Sequence, residues 1–254
     1  MATVHHSSDL FPVHSVPVTR PFIWLGRGLD DIRHTPAASL AYGWIVATLG
    51  ALILAYSRHP LYIAVAVASF LMVGPVITAG LCELSRRRDH GEPVSFQLSL
   101  AGLASSRQRL ANFCCTLLLL AIAWFTLCAA VLFFAAGNVV PDLESTVWGN
   151  VFSQLSAEQL TVYALAFIAL AGTVFAVSVV TVPMMIDRHV DAVTAMRTSL
   201  RAAVRDWPAM LLWAVLIVGL VLFGFATWLL GMVIVLPLLG HATWHAYRDI
   251  VEEA

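Results

Sequence analysis

Lysine is absent from this sequence of 254 residues, and charge of either sign is scarce: only 11% of the residues are charged. An ordinary soluble domain carries about 25%. With 60% hydrophobic residues and a formal net charge of −1, the chain lacks the polar surface of a soluble enzyme and the basic excess of a nucleic-acid binder. Cysteine is sparse too. Cys82, Cys114, Cys115 and Cys128 lie in or at the ends of apolar stretches without CxxC spacing, which reads as small apolar packing and not as a disulfide framework. No Ser-His-Asp order, Walker loop or HExxH pattern appears, so nothing implies an enzyme or a cofactor. The first 20 residues have neither a basic n-region nor an apolar h-region, so no cleavable signal peptide is visible. Residues 1–20, with His5, His6 and His14, read as a flexible cytoplasmic tail, and 21–250 as one integral membrane domain.

What the chain does have is long stretches without a charge. His34–Ser57 and His59–Cys82 are 24 residues each, Leu110–Pro141 is 32, Leu160–Ile186 is similar, and Trp207–Tyr247 is 41. About 20 apolar residues of helix cross about 30 Å of hydrocarbon. The pattern therefore predicts an all-α, polytopic bundle of six transmembrane helices over about 38–57, 61–82, 110–136, 159–183, 208–223 and 226–246. The last stretch is long enough for two crossings, and a break near Gly224 gives the turn. A re-entrant pair is the competing reading there.

Arginine sets the orientation. Arg20, Arg27 and Arg33 precede the first span; Arg86, Arg87, Arg88, Arg107 and Arg109 lie between the second and third. Arg188, Arg197, Arg201 and Arg205 lie between the fourth and fifth, and Arg248 follows the sixth. Only Arg58 falls on the other side, where the 137–158 loop carries Asp142, Glu144 and Glu158. Basic loops stay in the cytoplasm, so both termini are expected there. No Asp, Glu or Arg lies deep in a span, which speaks against proton pumps and ion-coupled transporters. Small residues recur in the spans (Gly43, Gly50, Gly74, Gly80, Gly219) and read as sites of close helix approach.

Three segments have the period of interfacial amphipathic helices on the cytoplasmic side. One is 22–33. A second is 94–109, with Phe96, Leu100 and Leu103 on one stripe. The third is 190–206, with Val193, Met196, Leu200 and Ala203 on one stripe and Arg197, Arg201 and Arg205 on another. Arg86, Arg87, Arg88, Arg197, Arg201 and Arg205 are the candidate topology determinants, facing anionic lipid headgroups. Glu83 and Asp187 lie beside arginines and read as helix-end ion pairs. A weak internal echo joins the two hairpins: Pro75, Glu83, Arg86 and Ser99-Leu100 against Pro183, Asp187, Arg188 and Ser199-Leu200. If real, it marks two parallel repeats.

His241 and His245, at i and i+4, share one helical face. They are the candidate metal ligands, for zinc, copper or a haem iron, with no obvious third partner. The alternative is an interfacial belt, in which Trp244 and Tyr247 sit at headgroup level.

Certain blocks also suggest a family. Pro21-Phe22-Ile23-Trp24-Leu25 with Gly28, Asp30, Pro36 and Ser39–Gly43 forms an opening block. Phe70–Pro75 with Gly80-Leu81 and Glu83–Arg86 forms a second, and Pro183–Arg188 a third. Leu236-Pro237-Leu238-Leu239-Gly240-His241-Ala242-Thr243-Trp244-His245 with Tyr247-Arg248 forms a closing block. Together, over about 20–250, these resemble the bacterial integral membrane proteins catalogued as domain of unknown function 2189; Cys82 stands where that pattern has a tyrosine. The resemblance implies a bacterial inner-membrane protein with no established activity. The reading preferred here is a non-enzymatic structural or accessory component, packing against itself or a larger, respiratory or other, membrane complex. The alternatives are a small-solute transporter or channel, and a metal- or haem-binding respiratory accessory protein.

Overall fold

The computed structural model describes residues 11–56, 60–135 and 156–251. Arg58, the residues before 11 and the acidic connection up to residue 155 lie outside them. The described residues form ten α-helices and no strand. They are α1 (Arg20–His34), α2 (Pro36–Tyr56), α3 (Pro60–Asp89), α4 (Phe96–Ser105) and α5 (Arg107–Ala135), then α6 (Ala157–Ser178), α7 (Thr181–Asp187), α8 (Ala192–Arg205), α9 (Trp207–Ala226) and α10 (Met232–Ile250). Among the described residues, three stretches are long and apolar enough to cross a membrane: Pro36–Ile53, Ile168–Asp187 and Trp207–Ala226.

The fold is organised around α10. It packs against α1, α2, α3, α7 and α9, and twelve of its nineteen residues are buried. Such close packing needs small residues on its neighbours. A Cβ on Gly43 of α2 would fall 2.1 Å from the Val233 carbonyl oxygen, and one on Gly28 of α1 would fall 2.9 Å from the Ala242 nitrogen. Of the other small-residue positions, Gly80 is filled by the Tyr42 ring, whereas nothing approaches Gly74 or Gly219.

The turn before α10 is not at Gly224. α9 continues through Ala226, which at 20 residues spans about 30 Å. The chain reverses over 227–231, where Trp228 and Leu229 take φ of 55° and 67°. Thr227 holds this turn: its hydroxyl donates to the Gly224 carbonyl and accepts from the Gly231 N–H, both at 2.9 Å. Gly224 instead gives room to Met232, whose sulfur would lie 2.3 Å from a Cβ there.

The expected span 159–183 is also broken. α6 ends at Ser178 and α7 starts at Thr181. Ser199 of α8 enters the break, donating to the Ala176 carbonyl at 2.7 Å and accepting from the Val180 N–H at 3.4 Å. A side chain inserted into the helical ladder, with Pro183 lacking an N–H, accounts for the interruption.

The hairpins α4–α5 and α8–α9 share one plan. A short helix capped by Ser95 or Asp191 ends at a single linking residue, Ser106 or Asp206, and a long helix follows. Buried positions recur at an offset of 100: Ser99 and Ser199, Leu110 and Met210, Phe113 and Trp213. Of the pairs in the sequence echo, only Ser99 and Ser199 are among these.

The α8 stripe divides between two faces. Val193 and Leu200 are exposed, and the buried face consists of Ala192, Ala195, Thr198, Ser199, Ala202 and Ala203. Small side chains let α8 lie close against α6, and the larger ones are left outside. The N-terminal segment is no free tail from residue 11 onward. Val13 is buried and pairs with Val251 in an antiparallel bridge, and the His14 N–H donates to the Ile250 carbonyl at 2.7 Å. Ser15 donates to Asp206 at 2.7 Å.

Candidate functional site

The polar residues of α10 converge on one buried network. The i, i+4 spacing does put His241 and His245 on one face, and that face meets Asp31 of α1. Asp31 is 2% exposed. His245 Nε2 lies 3.0 Å from Asp31 Oδ2, and Ser85 of α3 donates to the same oxygen. Arg88 closes the other carboxylate oxygen and also reaches Asp30 at 2.6 Å. Burial pushes the Asp31 carboxyl up, but hydrogen bonds from His245 and Ser85 and the nearby imidazoles outweigh it, leaving it below the usual carboxylate range.

Proton counting orders the chain of contacts. The single Ser85 proton goes to Asp31, so the Ser85 oxygen accepts from His241 Nδ1–H at 2.7 Å. A neutral His241 ring then accepts at Nε2 from the Ser39 hydroxyl of α2, at 2.9 Å. Thr35, on the α1–α2 link, lies 3.1 Å from Ser39. Four helices are joined by one continuous sequence of hydroxyl, imidazole and carboxylate. A Ser-His-Asp order absent from the primary sequence therefore exists in space, with Ser85 interposed. It offers no nucleophile to a substrate, because Ser39 and His241 have no exposed surface.

The rest of the closing block is tied down in the same way. Trp244 Nε1 donates to Asp89 at 2.6 Å, and the Tyr247 hydroxyl donates to Asp187 at 2.6 Å. Asp249 collects Arg20 at 2.6 Å, Trp24 Nε1 at 2.8 Å and Arg27 at 3.1 Å. Burial raises the Asp249 carboxyl, and the bonds from Arg20 and Trp24 more than reverse this. Trp244 and Tyr247 are buried, which is packing inside the protein and not an exposed headgroup-level belt, both of which the sequence allowed; their polar atoms face carboxylates within the protein. A charged cavity of about 470 Å³ opens beside the network, lined by Arg27, Asp30, Asp31, Arg88, Asp89, His245, Arg248 and Asp249.

As for the metal reading, both nitrogens of His241 face serine hydroxyls and His245 Nε2 faces Asp31. Among the described residues, no three His, Cys, Asp or Glu side chains are placed to hold a metal ion. His90 bonds its own helix at the Arg86 carbonyl, and His189 lies 3.1 Å from Arg109. Cys82 packs on the Gly240 carbonyl, with sulfur 3.6 Å from the oxygen.

The six singled-out arginines separate into two groups. Arg86 and Arg87 both bond Glu83, at 2.7 Å each, and Glu83 is 2% exposed. With Arg88 on Asp31, the first triplet turns inward. Arg197, Arg201 and Arg205 are exposed along α8. Arg201 and Arg205 reach only the carbonyls of Phe11 and Val13. Sequence reasoning missed Asp31, Ser39, Ser85 and Asp249 as members of the network. Their one signal was position, since three of them fall within the blocks that carried the resemblance.

Comparison with known proteins agrees with this picture of apolar helices around a fixed polar end. The family model described as Predicted integral membrane protein (DUF2189) matches residues 62–187, which include all but the first two residues of α3, with Glu83, Ser85 and the first arginine triplet. No curated protein and no solved structure matches the chain. The protein is an integral membrane protein, and it belongs to the DUF2189 family.

Proposed function

We propose that the protein is a multi-pass, non-enzymatic component of the bacterial inner membrane. It crosses the bilayer six times with both termini in the cytoplasm, and serves as a structural or accessory part of a membrane complex. The observation that carries the orientation is that the arginine-bearing segments touch one another. Arg20 and Arg27 meet Asp249 beyond the sixth span. Arg88 meets Asp31 before the first. Arg109 meets His189 and Arg188 meets Tyr247. Arg205 meets Val13. Arginine from four connections thus gathers at one end of the bundle, which fits retention on the cytoplasmic side.

The remainder of the surface suits lipid. Large apolar side chains are exposed on α2 (Trp44, Leu52), α5 (Leu119, Ile122), α6 (Leu165, Ile168) and α9 (Leu211, Leu222). A soluble protein does not expose so continuous an apolar area. The buried position of Ser39 and the internal pairing of every carboxylate around α10 support a structural over a catalytic role. Reporter fusions test the topology: fusions after residue 251 are active only as cytoplasmic reporters and those within 137–155 only as periplasmic ones, and the reverse pattern overturns it. Affinity purification from native membranes tests the role. Stoichiometric membrane partners are expected; the bait alone, with solute flux in liposomes, overturns it.

A further inference from the structure

We propose that α8 docks on anionic phospholipid headgroups through Arg197, Arg201 and Arg205, with Val193, Leu200 and Val204 seated at the acyl boundary; this rests on the membrane reading above. At 3.6 residues per turn, the fourteen residues of α8 divide into three faces. One is the small-residue face against α6. The second holds Val193, Leu200 and Val204, which are 50%, 46% and 68% exposed. The third, directly beside it, holds the arginines. Nothing among the described residues covers the second face.

Three features commit this surface to an acidic leaflet. First, α8 leads through the single residue Asp206 into α9, a helix apolar enough to cross a membrane, on which Trp207, Leu211 and Val215 are exposed. A lipid layer that covers α9 therefore begins one residue from α8. Second, an apolar stripe flanked by arginine on one side is the arrangement of helices that lie in the headgroup layer. Third, the positive charge of α8 meets no carboxylate among the described residues. Asp191 is spent on the Thr194 N–H at 3.0 Å, Asp206 is buried on Ser15, and Asp187 accepts from Tyr247. The carbonyls that meet Arg201 and Arg205 are neutral and leave their charge available. Arg197 makes no hydrogen bond or ion pair with the other described residues. Phosphate oxygens of phosphatidylglycerol-type lipids supply what it lacks.

The test uses the full chain in nanodiscs of phosphatidylcholine with increasing phosphatidylglycerol, with retained lipid read by native mass spectrometry. Wild type is expected to retain phosphatidylglycerol over phosphatidylcholine. Each arginine removed should weaken that preference about fivefold, so R197Q/R201Q/R205Q nearly abolishes it. Arg197→Gln alone touches nothing inside the protein, keeps the fold, and still lowers the preference about fivefold. An unchanged preference in both variants, or none in wild type, overturns the proposal. Alkaline carbonate extraction of the full chain from vesicles of the same lipid composition separates the two readings. A chain released by carbonate overturns the membrane reading itself, whereas an inserted chain without lipid preference overturns only the role given to α8.

Discussion

Two arginine triplets, one at the end of α3 and one along α8, have equal charge and opposite surroundings. Arg86, Arg87 and Arg88 are each within reach of a carboxylate that is itself buried, Glu83 or Asp31. Arg197, Arg201 and Arg205 have none among the described residues. The difference lies in the neighbouring helices. The α3 end is covered by α1, α4 and α10, which bring acids and hydroxyls to it. The exposed side of α8 faces away from the bundle. Basic residues counted alike by a topology rule thus act in two ways: one set fastens helices together, and the other is left to the surroundings of the protein. A buried charge loses its hydration and needs a partner, whereas an exposed one keeps it.

This contrast can be broken experimentally, beginning with the most buried acid. Asp31→Asn removes the acceptor shared by Ser85, His245 and Arg88. It should cost about 3 kcal/mol, the low end for a broken buried pair because Arg88 keeps Asp30, read as a lowered melting temperature in detergent. Glu83→Gln should cost about 2 kcal/mol, because Arg86 and Arg87 retain Glu92 at 3.4 and 3.3 Å. Acid should act in the same direction. Asp31 and Asp249 both have folded pKa values below the ordinary carboxylate range. The stability they contribute is therefore complete above the unfolded value of about 4 and is lost as pH falls through the folded values. A melting temperature that declines below about pH 4, and declines less in Asp249→Asn, is the expected result. The smallest effect belongs to α8. Arg197→Gln should change stability by less than about 0.5 kcal/mol; a loss as large as that of Glu83→Gln would erase the distinction between the two triplets.

How far the sequence could be read depended on what each signal measures. Absence of charge located α2, α3, α5 and α9 to within a few residues, because hydrocarbon and protein interior both exclude unpaired charge. The same signal said nothing about the neighbours of α10, since a helix buried in protein and one facing lipid are equally apolar. The turn before it was misplaced because glycine is the usual residue at positive φ, whereas here Trp228 and Leu229 take it under the hold of Thr227. The spacing grouped Ala203 with Val193 and Leu200 on one stripe of α8, whereas Ala203 lies on the small-residue face against α6 and the other two are exposed, because alanine and serine carry little hydropathy signal of their own. In the network, the shared face of His241 and His245 was legible from spacing alone. Asp31 and Ser85 were not, because they are some 200 and 150 positions away in the chain and only the packing of α1 and α3 on α10 brings them there.

The bridge between Val13 and Val251 has a consequence for counting. Two points joined by a direct backbone contact must share one compartment. Whatever path the intervening chain follows, each passage through the bilayer is then matched by a return. Parity is fixed by the clasp alone, without reference to a single arginine.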